Sequence, residues 1–132
     1  MLEFDHVGYA VNNLEKSRKS FEALGYVFCE NIHDDERNIN LAFGKLGGFC
    51  VELVAPDAES SPVNTYLQKI GVCPYHVCYK SSDINQDMNF LVSKRYKITL
   101  PLAPAIAFGG RRVVFMYALN GGLIELVETR TS

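Results

Sequence analysis

The chain contains an internal repeat, and this limits its fold more than any other feature. Residues 4–26 align with 74–96 at a constant offset, so that DHVGYAV at 5–11 meets YHVCYKS at 75–81. His6 then matches His76, Val7 matches Val77, Tyr9 matches Tyr79, Leu14 matches Ile84, Phe21 matches Leu91 and Tyr26 matches Tyr96. The ends agree as well: GGFCVELV at 47–54 resembles GGLIELV at 121–127 and pairs Glu52 with Glu125. A duplicated unit of this length is one supersecondary motif used twice. We expect a single domain, 1–132, built of two modules, 3–58 and 73–130, with a helical connector at 59–72.

Each module reads as strand, helix and three strands. In the first, 3–11 alternates, the following helix is capped by Asn12 or Asn13 and Gly25 stops it. In the second, Asp83 caps a helix whose apolar side is Ile84, Met88, Leu91 and Val92. Further strands are expected at 26–30, 37–44, 49–54, 97–101, 111–117 and 123–128. In the connector, Ser60-Ser61-Pro62 opens a short helix carrying Val63, Tyr66, Leu67 and Ile70, and Gly71 ends it. The class is α+β, with antiparallel-rich sheets and helices on one side.

Strand parity then sorts the chemistry, because alternate side chains take opposite faces. His6 shares a face with Phe4, Gly8 and Ala10, and His76 with Cys78 and Lys80. Glu52 lies with Cys50 and Val54, and Glu125 with Leu123 and Val127. The bulkier faces should pack under the helices, leaving the His and Glu faces on a concave, partly open surface. A single strand histidine is ordinarily a core or surface residue. Here two of only three histidines hold equivalent places in a repeat whose ends carry equivalent glutamates. Burying carboxylates uncompensated is costly, and coordination supplies the compensation. Two imidazoles and two carboxylates suit Zn, Ni, Co or Mn. His33, in the polar run His33-Asp34-Asp35, falls outside the repeat and should be solvated.

Composition removes other classes. Thirteen Lys+Arg against fifteen Asp+Glu give a charge of −2, with no basic run, which argues against nucleic acid and anionic lipid as partners. No apolar run approaches a membrane span, and the first residues lack a signal-peptide pattern, so a cytoplasmic location is expected. Cys29, Cys50, Cys73 and Cys78 form no Cys-x-x-Cys pair and read as small buried hydrophobes.

The strings DHVGYAV, VELVAP, SSPVNTYLQKIG, YHVCY, FGGRRVVF and GGLIELVE, in that order, resemble the vicinal oxygen chelate (glyoxalase/bleomycin-resistance/dioxygenase) superfamily. The nearest branch in appearance is that of glyoxalase I and methylmalonyl-CoA epimerase. The resemblance implies the glyoxalase fold, two βαβββ modules forming an open barrel-like cup around a divalent metal held by His6, Glu52, His76 and Glu125, and a homodimer. It also implies that Glu36, in Glu36-Arg37-Asn38-Ile39, is an extra acid/base, with Asn38 standing where the family has a glycine. Tyr75 and Tyr117 stand where epimerases usually carry histidine. These departures weaken the acyl-CoA reading and give weight to glyoxalase-like chemistry on a thiohemiacetal.

The activity expected is metal-dependent proton transfer α to a carbonyl, by an isomerase or lyase resembling either methylmalonyl-CoA epimerase or glyoxalase I (lactoylglutathione lyase). The substrate would be an acyl thioester or a small-molecule thiol adduct. Glu125 or Glu52 would move the proton in a lyase, and Glu36 with Glu125 in an epimerase. Arg111 and Arg112, in the glycine-containing loop 107–112, are the candidate substrate-binding residues. The alternative is a non-catalytic, ligand-sequestering protein of the bleomycin-resistance type.

Overall fold

The computed structural model describes residues 2–129, so the expected end of the second module at Arg130 lies outside the described residues. The chain divides into two compact units, one of His6–Tyr75 and one of Met1–Asp5 with His76–Ser132. Nine strands and three α-helices are found among the described residues, giving the α+β class expected.

The first unit holds most of β1 (Leu2–Ala10), then α1 (Leu14–Glu22), β2 (Val27–Phe28), β3 (Ile32–Asp34), β4 (Ile39–Leu46), β5 (Phe49–Pro56) and α2 (Val63–Lys69). Its strands run in the order β2-β4-β5-β1, with β3 also on β4. β1 and β5 are parallel; the pairs that β4 makes are antiparallel. Of the two possible caps, Asn13 is the one used: its side chain accepts the Lys16 N–H at 2.9 Å, an interaction worth about 1 kcal/mol. Gly25 ends the turn after α1 at φ 109. Phe21 on α1 meets Tyr9 and Tyr26 edge-on at 5.2 and 5.3 Å, joining the helix to a core of Val11, Ala42, Val51 and Leu53.

The second unit holds most of β6 (Cys73–Ser81), then α3 (Ile84–Ser93), β7 (Lys97–Pro104), a 3-10 turn at Ile106–Phe108, β8 (Arg112–Ala118) and β9 (Gly122–Glu128). Its order is β6-β9-β8-β7, with β6 and β9 parallel and the others antiparallel. Asp83 caps α3 by accepting the Gln86 N–H at 3.1 Å. Ile84, Met88 and Leu91 pack on Val114, Met116, Ile124 and Leu126. This unit has the strand, helix and three strands read from the sequence; the first unit adds one short strand, β3.

Several expectations need correction. Val92 is 48% exposed, because a 3.6-residue turn places it roughly 80° from Ile84, at the margin of the buried stripe. Ile70 is 72% exposed, since α2 ends before it and it serves as the C-cap. The strand expected at 26–30 shortens to two residues, and the one expected at 37–44 begins at Ile39 because Asp35–Asn38 form a turn. Cys29 is exposed, while Cys73 and Cys78 are buried. On the face expected to be partly open, His6, Gly8 and Ala10 are buried, while Phe4 at its start is 47% exposed. One cause is α2, whose Val63, Tyr66 and Leu67 cluster with Ala10 and Val54. Among the described residues no helix is long and apolar enough to cross a membrane.

Candidate metal centre

Two strands build the first His–Glu pair. The parallel ladder sets Gly8 opposite Glu52, and His6 stands two residues earlier on the same face of β1. The His6 Nε2 and the Glu52 Oε1 lie 3.1 Å apart. Both residues are buried, at 0% and 5% exposure. On the other side of β5, Phe43 of β4 is opposite Glu52, and its ring meets the His6 ring edge-on at 5.4 Å. The imidazole is thus held between a carboxylate and an aromatic wall.

The second unit repeats this arrangement with its own residues. Cys78 of β6 is opposite Glu125 of β9, with His76 two residues before Cys78. The His76 Nε2 lies 3.3 Å from the Glu125 Oε1, and both residues are buried. Phe115 of β8 stands opposite Glu125 and meets the His76 ring edge-on at 5.3 Å. The wall positions Phe43 and Phe115 escaped the sequence reading. Their signal lies in register, since each is opposite a glutamate, and a single strand gives no access to that information.

The donor chemistry of each pair fits a divalent metal. A buried carboxylate needs a partner, and in each unit that partner is an imidazole, whose neutral form ligates borderline ions. In both pairs the Nε2 and a carboxylate oxygen converge beside the edge-on contact of a phenylalanine ring. Each unit can therefore supply one nitrogen and one oxygen donor to Zn, Ni, Co or Mn.

The other expected site residues are placed differently. Glu36 is exposed, in the turn between β3 and β4. The β4–β5 ladder runs from Ile39 opposite Pro56 to Phe43 opposite Glu52, so this turn lies at the Pro56 end and Glu36 makes no hydrogen bond to the His6–Glu52 pair. Asn38 has φ 55, a left-handed conformation that asparagine tolerates better than most residues. Arg112 forks onto Glu128, with Nε and Nη2 contacts of 3.0–3.2 Å, and its backbone N–H donates to the same carboxylate at 2.7 Å. These bonds hold the Glu128 carboxyl below its ordinary range and the Arg112 guanidinium above its own. Arg111 donates from Nε to the Phe108 carbonyl at 3.1 Å and stacks over the Phe108 ring. Both arginines thus brace the loop 107–112 against β9. His33, 47% exposed at its side chain, has Nδ1 2.7 Å from the Asn40 Oδ1 and Nε2 2.5 Å from an Asp35 carboxylate oxygen. The Asn40 bond, then the Asp35 bond and carboxylate charge, raise its pKa above 6.5.

With these features in hand, comparison defines the class. The family model for the Glyoxalase/Bleomycin resistance protein/Dioxygenase superfamily matches residues 5–115, and the chain belongs to that superfamily. Within it, the chain is 27% identical over 133 residues to the uncharacterized protein YqjC of Bacillus subtilis (strain 168), covering 98% of this chain and 94% of that protein. It is 31% identical over 128 residues to mitochondrial methylmalonyl-CoA epimerase of Bos taurus, covering 94% and 73%. Among solved structures, methylmalonyl-CoA epimerase from Mycobacterium tuberculosis matches with a TM-score of 0.85 at 27% identity, over 97% of this chain and 88% of that one. These relatives turn the balance back from the thiohemiacetal reading toward the epimerase branch.

Proposed function

We propose that this protein is an epimerase-type isomerase that inverts the carbon α to the thioester of a methylmalonyl-CoA-like acyl thioester. In this reading His6, Glu52, His76 and Glu125 together hold one divalent metal. The observation that carries it is the buried His–Glu pair, repeated in both units, in a chain whose relatives include methylmalonyl-CoA epimerases. A bound divalent ion would supply Lewis-acid stabilisation of charge developing on the thioester oxygen.

Epimerisation needs one base to take the α-proton and one acid to return a proton to the opposite face. Glu36 and Glu125 fill these roles. In one direction the Glu36 carboxylate removes the proton, the C–H electron pair moves into the enolate, and protonated Glu125 delivers a proton to the other face of the same carbon. In the other direction the roles exchange, so no atom or electron is gained or lost overall. Glu125 would serve both as a ligand of the ion and as the proton carrier, since a carboxylate has two oxygens. Glu52 then acts as a ligand; the lyase role expected of it finds no support among these relatives. Arg111, which donates to the Phe108 and Glu128 carbonyls, and Arg112, forked on the Glu128 carboxylate, stay the candidates for the substrate carboxylate.

The test is to incubate one enantiomer of methylmalonyl-CoA with the metal-loaded protein in D2O. Deuterium should enter the α-carbon as the other enantiomer appears, and Glu36→Gln should slow this by about 100-fold or more, the usual scale of a lost acid/base. Binding of the thioester with neither exchange nor inversion, whichever of Ni, Co, Zn or Mn is supplied, would return the protein to the ligand-sequestering class. The homodimer expected from the resemblance is checked by sedimentation of the same preparation.

A further inference from the structure

Glu36 occupies a four-residue turn whose other residues are bonded to the surrounding structure. Asp34, the last residue of β3, is 3% exposed although the residues that follow it are at the surface. Its Oδ1 accepts the Arg37 N–H at 3.1 Å, and its Oδ2 accepts from the Arg37 guanidinium at 3.2 Å. A carboxylate loses solvation when buried and is retained where charged and backbone donors replace the water. Here both donors come from the residue immediately after Glu36, so Asp34 closes the turn across its base.

The far side of the turn is tied as well. The Asn38 carbonyl accepts the Asp57 N–H at 2.8 Å, while the Asn38 backbone is left-handed. Asp34 is opposite Ile39 in the β3–β4 ladder. Next to Glu36, Asp35 is held by His33, which also contacts Asn40 and lies 3.5 Å from Asp57. Every residue of the turn except Glu36 therefore has a bond to the surrounding structure. Asp side chains commonly close turns in this way, and at this turn the same bonds fix the backbone on both sides of Glu36, which a carboxylate that must meet a carbon requires.

We infer that Asp34 is a positioning residue for Glu36, holding the 35–38 turn through Arg37 so that the Glu36 carboxylate is aimed at the substrate's α-carbon. This rests on the acid/base reading of Glu36 given above. Asp34 itself touches neither substrate nor metal in this reading.

The test uses the metal-loaded full chain, with methylmalonyl-CoA as substrate and Asp34→Asn, Asp34→Ala, Glu36→Gln and the double variant Asp34→Ala/Glu36→Gln. Asp34→Ala should lower kcat by about 10- to 100-fold with KM within about threefold, as expected for a misaimed group. Asp34→Asn should recover part of the loss, because its amide oxygen can still accept the Arg37 N–H. In the Glu36→Gln background Asp34→Ala should add less than twofold, since two changes acting through one group do not multiply. Amide hydrogen exchange over 35–38 should accelerate in the Asp34 variants, a readout independent of turnover. A purely structural Asp34 predicts a lower melting temperature with unchanged kcat below it. Full-rate Asp34→Asn and Asp34→Ala alongside slow Glu36→Gln would overturn this inference alone. A full-rate Glu36→Gln would overturn the acid/base reading and this inference with it. If Asp34→Ala fails to fold, unchanged kcat and unchanged 35–38 exchange in Asp34→Asn would be decisive against it.

Discussion

Glu52 and Glu125 sit in strands whose neighbours are Val51, Leu53, Ile124 and Leu126, all buried. There an imidazole nitrogen lies 3.1 or 3.3 Å from the carboxylate, and in the proposed state a cation would offset the cost of burying it. These four residues were readable from sequence because the repeat supplied what a single histidine lacks, a second copy in the same context. His33 had no such counterpart and was read only as solvated, which its half-exposed side chain supports; its approach to Asp57, 24 positions along the chain, depends on the β3–β4 pairing and could not be foreseen. Its environment makes a prediction at this scale. Its folded pKa lies above 6.5, chiefly through Asn40 and then Asp35, so folding favours the protonated ring. The stabilisation is fully present below pH 6.5, the unfolded value, and is lost as the pH rises through the folded pKa. Histidine NMR titration should give His33 a midpoint above 6.5, and Asn40→Ala should move it down toward that value. An unchanged midpoint in Asn40→Ala would mean that Asn40 is not the main cause.

At the scale of elements, the helices and long strands were legible, the short β2 was read too long and the short β3 was not read at all. α1 showed a cap and a stop and α3 a cap with apolar spacing, and Asn13 and Asp83 do cap them. β3 is three residues long and includes His33 and Asp34, too short and too polar to show a period of two. Its hydrogen bonds to β4 exist because Asp34 and Arg37 close a turn that aligns Ile32 with Leu41 and Asp34 with Ile39. β2 is shorter still, and its placement depends on one glycine. Phe28 pairs with Gly44 on β4, and a Cβ at position 44 would come within 2.4 Å of the Phe28 ring, well inside contact distance. The ring is wedged against Phe21 and Tyr26, so it cannot swing away without disturbing the α1 core. Gly44→Ala should therefore destabilise the protein by about 1–3 kcal/mol, the usual cost of overpacking, measured as a lower urea midpoint at constant m-value. The companion change Phe28→Leu should relieve part of that cost. A Gly44→Ala midpoint within error of the parent would show that the β2 edge yields freely.

For the whole molecule, the repeat has a consequence that can be counted. Each unit supplies one imidazole and one carboxylate, and two donors are a weak chelate for a divalent ion, whereas four protein ligands with room for substrate oxygens suit catalysis. If the two pairs act as one site, the chain binds one ion; if they act separately, it binds two. Calorimetric titration of metal-stripped protein with Ni, Co, Zn or Mn should give one ion per chain. At a free metal concentration 100 times Kd, binding stabilises the fold by about 2.7 kcal/mol, which for a domain of this size raises Tm by roughly 10 °C. His6→Ala and His76→Ala lie in different units, yet each should remove most of the affinity and most of the Tm gain. Glu52→Gln keeps the side-chain volume and an oxygen donor but not the charge, and should weaken binding by about tenfold or more while leaving the metal-free Tm close to the parent's. Independent pairs predict a different outcome: two ions in the parent, and one undisturbed ion left in each histidine variant. The stoichiometry of His6→Ala alone separates these cases, because only a shared site lets the loss of a ligand in one unit abolish binding by the other.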